Sequence, residues 1–127
     1  MYSTDTKINV RFGEIWMCQL NNSKSVQTGY RPVLVISNDM NNTYSPTLNV
    51  IPLTTKMNKR KLPIHVELWD YAEYGLRKPS TLMIEQITTI PIDSLDKYVG
   101  RIDSKEVLAQ IWAAISIQFP ILQSINV

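Results

Sequence analysis

Pro32-Val33-Leu34-Val35-Ile36-Ser37 decides the fold: apolar and largely β-branched, it reads as a strand buried on both faces at the centre of a sheet. Pro32 fits at its first residue, where no ladder donor is lost. Upstream, Glu14 to Leu20 reads as a strand carrying the apolar patch Ile15, Trp16 and Met17, and Asn21 to Gly29 as a polar loop. Downstream, Asn38 to Pro46 has the Asn, Asp and Pro chemistry of a turn that holds at most a short helical turn. Thr47 to Leu53 is a third strand and Thr54 to Lys61 a basic loop. In a fourth strand, Ile64 to Leu68, His65 and Glu67 alternate with apolar residues and imply one wet face.

Thr81 to Ile84 and Gln86 to Ile90 are strand material on either side of Glu85, and Asp93 to Lys97 reads as a short helical turn before Tyr98 to Ile102. Asp103 is the expected N-cap of a C-terminal helix, because Glu106 follows at capping-box distance. Val107, Leu108, Ile111, Ala114 and Ile115 recur at helical spacing, Trp112 is expected to pack near that apolar face, and Pro120 stops the helix. Ile121, Leu122 and Ile125 trail beyond it. Short strands with one terminal helix make the chain mainly β, a small, strongly curved antiparallel sheet or barrel with the helix packed on it.

The composition agrees with one soluble domain over 1–127, its core near 10–119: 127 residues, 44% hydrophobic and 19% charged. One histidine and one cysteine leave no intramolecular disulfide, no paired-histidine acid/base mechanism in one subunit, and no thiolate or imidazole zinc cluster. Cys18 sits in an apolar run and reads as a buried, reduced thiol, as in the cytoplasm. No stretch approaches the ~20 apolar residues that span a bilayer, and Met1 to Val10 lacks a secretory h-region, so neither export nor membrane insertion is expected. A net charge of +2 announces no nucleic-acid binder by itself. Its distribution says more, with Lys56, Lys59, Arg60 and Lys61 crowded together: a solvated loop or a phosphate-contacting edge.

Gly13-Glu14-Ile15-Trp16, followed by Gly29-Tyr30-Arg31-Pro32 and the apolar strand to Asn38-Asp39, resembles the MazF/PemK/Kid family of toxin endoribonucleases. The resemblance continues in order through Ser45-Pro46-Thr47, Pro52-Leu53-Thr54, Leu62-Pro63-Ile64-His65-Val66-Glu67, Gly75-Leu76, Glu85-Gln86-Ile87 and Gly100-Arg101-Ile102. It implies a small SH3-like barrel of the MazF/PemK/CcdB type, a homodimer, and sequence-specific cleavage of single-stranded RNA with neither metal nor cofactor. A MazE/PemI-like antitoxin is the implied partner. Catalysis in the family maps onto Arg31 and Thr54, and Ser25 and Gln27 match positions that contact RNA. The chain departs from the family pattern in the loop before Arg31, which lacks the usual proline and first glycine, is slightly shorter and has Val26 where an acidic residue is common; Thr88 replaces a residue that is often basic, and Phe12 precedes Gly13 where a charge is common. The rival readings are a non-catalytic relative and a CcdB-like toxin that poisons gyrase; Arg31 and Thr54 argue against the second.

RNA needs no metal to be cut, because its 2′-hydroxyl can attack the neighbouring phosphorus. A guanidinium presents donors in a planar fork that holds two non-bridging oxygens as charge builds there, and Arg31 suits this. Pro32 restricts Arg31 to extended backbone and so aims it from a rigid strand. Thr54 can add a neutral hydroxyl bond, with Thr55 beside it. RNA contacts are expected from Ser25, Gln27, Thr28 and Tyr30 in the first loop and from Thr55, Lys56 and Lys59 in the basic one. His65 either lines the groove or is a hydrogen-bonded structural residue. Trp16, Trp69, Tyr30 and Tyr44 are candidates for base stacking, with Trp16 better suited to the core and Trp69 to an exposed tip.

Overall fold

The computed structural model describes residues 8–20, 29–56 and 62–124. Its strands are β1 (Glu14–Leu20), β2 (Gly29–Val35), β3 (Thr47–Thr54), β4 (His65–Leu68), β5 (Ser80–Met83), β6 (Thr88–Pro91) and β7 (Leu95–Arg101). The helices are α1 (Asp39–Tyr44), α2 (Lys105–Gln118) and the single turn α3 (Ile121–Ser124). All strand pairs are antiparallel, in the order β4-β5-β3-β2-β1-β7, with β6 added on β3.

β3 joins the two halves of the sheet. Its residues Thr47 to Val50 pair with β6 and Val50 to Pro52 with β2, whereas Leu53 and Thr54 pair with β5. Side chains alternate across a strand, so its two faces feed two cores. Ile15, Leu34, Ile51 and Leu53 meet Val66, Leu68 and Leu82 under Ile111 and Ala114 of α2. On the other face Trp16, Cys18, Val33, Val35 and Val50 pack with Ile90, Leu95 and Val10. The expected class, mainly β with a C-terminal helix, is the class observed. The barrel is an open one, since β4 and β7 end the strand order without pairing to each other.

Several local expectations shift. Pro32 lies inside β2, not at its start, but the β2–β3 register begins only at Val33, so Pro32 has β1 alone beside it, where a missing donor is tolerated. β7 starts at Leu95, and the turn before it is the 3-10 segment Ile92–Ser94. The N-cap of α2 is Ser104 and not Asp103: the Ser104 hydroxyl accepts from the Val107 amide at 3.3 Å and donates to Glu106 Oε2 at 3.1 Å. Trp112 is exposed, at 61%, because it follows the buried Ile111 by one position and so points about 100° away from the packed face.

The 3-10 turn Tyr71–Tyr74 is held hard against β7. A Cβ on Gly100 would stand 2.0 Å from the Tyr74 carbonyl oxygen, and one on Gly75 2.0 Å from that of Val99, so only glycine permits this approach. That contact positions the segment from Gly75 to Ser80 beside the β1–β2–β7 surface.

Candidate functional site

Arg31 lies opposite Cys18 in the β1–β2 register. The β2–β3 register sets Val33 opposite Pro52, and carrying it two residues further places Arg31 across from Thr54. The side chain makes the same approach: Arg31 Nη1 donates to the Leu53 carbonyl at 3.4 Å, the peptide that leads into Thr54. Both residues are half-buried at the edge where β2 and β3 part. Thr54 Oγ1 accepts the Lys56 amide at 3.2 Å, which occupies a lone pair, fixes the rotamer and leaves the hydroxyl proton for an anion. A guanidinium and a hydroxyl held on neighbouring strands form a rigid anion-binding pair.

The carboxylates nearest in sequence logic to Arg31 are engaged elsewhere. Glu14 accepts from the Arg11 amide and from Trp16 Nε1, and Glu85 is bound to His65. His65 Nε2 sits 3.1 and 3.0 Å from the two Glu85 oxygens, and its side chain is only 6% exposed. The wet face expected for this strand is therefore dry at His65. Its ring is held by Glu85, and the residue borders a second cavity with Glu67 and Trp69.

Strand alternation separates the remaining candidates. Tyr30 and Thr55 flank Arg31 and Thr54 in sequence yet point to the opposite face, where both line a cavity of about 600 Å³. Its floor is Met17, Pro32, Leu76 and Val99, and Arg77, Lys78, Lys97 and Tyr98 stand around it. The Tyr30 hydroxyl donates to Asp96 Oδ2 at 2.5 Å, and this bond raises the phenol above its ordinary pKa. Tyr98 packs edge-on against Trp16, with ring centroids 5.7 Å apart. Lys56 is exposed beyond Thr54. Ser25, Gln27, Thr28 and Lys59 lie outside the described residues.

Sequence reasoning does not single out Arg77, Lys78, Lys97 and Tyr98, which border this cavity. Reading Asp93 to Lys97 as a helical turn hides the strand position of Lys97, and Arg77-Lys78 come beside β1 and β2 only through the Gly75 contact. Of the stacking candidates, Trp16 is core, at 9% exposure, while Trp69 and Tyr44 are exposed but line no part of this cavity. Cys18 is buried, and burial pushes its thiol up to about 11, so it is no nucleophile.

The structure is thus a small open β-sheet with a packed terminal helix that brings a guanidinium and a hydroxyl, two groups able to donate to an anion, to one sheet edge. A model of the PemK-like, MazF-like toxin family of type II toxin-antitoxin systems matches residues 11–119, and the chain belongs to that family. Endoribonuclease EndoA of Bacillus subtilis (strain 168) is 36% identical over 114 residues, covering 89% of this chain and 97% of that protein. Endoribonuclease MazF of Staphylococcus saprophyticus is 37% identical over 98 residues, covering 76% and 81%. Among solved structures, Mycobacterium tuberculosis toxin MazF-mt6 superposes with a TM-score of 0.71 at 25% identity, covering 84% of this chain and 96% of that one.

Proposed function

We propose that this chain is the endoribonuclease toxin of a toxin-antitoxin pair, cutting single-stranded RNA at a short sequence without a metal ion. The observation that carries the reading is the approach of the Arg31 guanidinium to the Leu53 carbonyl, across from Thr54, in a member of a toxin family with two curated endoribonuclease relatives. The 2′-hydroxyl attacks the adjacent phosphorus, the bond to the 5′-oxygen breaks, and the products carry a 2′,3′-cyclic phosphate and a 5′-hydroxyl. Arg31 neutralises the non-bridging oxygens as negative charge concentrates on them, and Thr54 donates to one of them. A guanidinium keeps its proton throughout the physiological range, so its part is charge stabilisation and not proton transfer.

The toxin acts in the cytoplasm as a homodimer, with an antitoxin segment competing for the anion site at Arg31. Among the described residues no helix is long and apolar enough to cross a membrane. The test is a digest of a long mixed-sequence RNA with excess chelator. Fragments ending at one short recurring motif support the reading. Intact RNA from folded protein overturns it, and inhibition of DNA supercoiling by that same protein would assign the chain to the gyrase-poisoning class.

A further inference from the structure

We propose that the cavity between β1, β2, β7 and the Gly75–Ser80 segment is a subsite for one nucleotide of single-stranded RNA, on the sheet face opposite Arg31 and Thr54. The inference rests on the endoribonuclease reading and extends it to a part of the surface that the arginine–threonine pair does not reach. At about 600 Å³ the cavity falls within the roughly 300–1,000 Å³ usual for small-ligand sites. Its floor is apolar, and the Tyr30 ring stands at it, 50% exposed, while Tyr98 borders it from β7 with its ring turned to Trp16 on the other face of the sheet.

The Tyr30 ring is held before any ligand arrives, because its hydroxyl is tied to Asp96. A pinned, half-exposed ring loses little freedom when a base stacks on it. Arg77, Lys78 and Lys97 add three cations around the same cavity, and none of them forms an ion pair with a described carboxylate. Asp96 stands at this rim too, with its carboxylate engaged by Tyr30. An apolar floor alone suits a protein side chain as well as a base. A ring flanked by cations is what a base and its phosphate together require. Tyr30 and Arg31 are consecutive in β2 and face opposite ways, so an RNA strand crossing the end of β2 presents one nucleotide to the ring and a neighbouring phosphate to the guanidinium.

The test uses a fluorescent, random-sequence 2′-O-methyl oligoribonucleotide, which cannot be cut because its attacking hydroxyl is blocked. Binding is followed by anisotropy over a salt series for the wild-type chain, for Arg77→Ala/Lys97→Ala, and for Lys105→Ala on the exposed start of α2. Each lost phosphate contact lowers the log–log salt slope by about 0.7, so the double variant is expected to lose about 1.4 in slope and roughly 25-fold in affinity at 0.1 M salt. Lys105→Ala stays within about twofold, and Tyr30→Phe retains most of the affinity that Tyr30→Leu loses. An unchanged slope and affinity in the double variant, with wild type binding RNA, overturns the subsite alone. Loss of antitoxin binding with RNA binding intact reassigns the cavity to protein recognition and equally overturns it. No binding of RNA by folded wild type overturns both the subsite and the endoribonuclease reading.

Discussion

Arg31 is constrained from two sides: Pro32 holds its backbone extended, and the Leu53 carbonyl holds its guanidinium beside Thr54. Removing one preorganised donor from a developing oxyanion costs about 10²–10³ in rate, and Arg31→Ala is expected to fall in that range under single-turnover conditions. Arg31→Lys should not restore the rate, since an ammonium lacks the planar fork. Thr54→Ala should cost less, about tenfold, because it removes a neutral bond; an equal or larger loss would make Thr54 the principal group. Arg31 and Thr54 are legible as a motif pair, and the β2–β3 register, carried two residues past Val33 and Pro52, brings them to the same edge. Cys18 was legible as a buried thiol. With its pKa near 11 it should resist iodoacetamide at pH 8 in the native state and react once denaturant exposes it, whereas prompt native labelling would contradict its burial.

At the scale of elements, the start of α2 provides a discriminating case. Asp103 and Ser104 are both good cap formers, and the spacing to Glu106 favoured the wrong one; a one-residue choice between two such neighbours depends on how β7 delivers the chain, which no local pattern encodes. Ser104→Ala is expected to cost about 1 kcal/mol in thermal or denaturant unfolding, and Asp103→Ala no more than about 0.5 kcal/mol. The reverse order would return the cap to Asp103. Strands β1 to β4 were readable from their apolar runs. The start of β7 is hidden because Asp96 and Lys97, polar and exposed, interrupt the apolar pattern after Leu95. The His65–Glu85 pair was hidden for a related reason: alternation sorts His65 with the polar face, while the carboxylate that buries it arrives from the 3-10 turn Ile84–Gln86.

For the whole molecule, sequence order names candidate residues without dividing them between the two faces. Tyr30 and Thr55 lie on one face and Arg31 and Thr54 on the other, so RNA bound as proposed crosses the end of the sheet and not a single flat surface. The exposed apolar side chains of the C-terminal region, Trp112 at 61% and Ile121 at 71%, are consistent with a surface that a second subunit covers. Sedimentation at micromolar protein is expected to give a dimer, and a monomer alone would contradict the proposed assembly.

The central claim is that the Arg31–Thr54 edge cuts RNA through the RNA's own 2′-hydroxyl. The most direct measurement maps the end groups left on RNA by folded wild type and folded Arg31→Ala with chelator present. The expected result is 2′,3′-cyclic phosphate and 5′-hydroxyl ends with wild type and almost none with the variant. Ends carrying a 5′-phosphate, or undiminished cutting by Arg31→Ala, would contradict it.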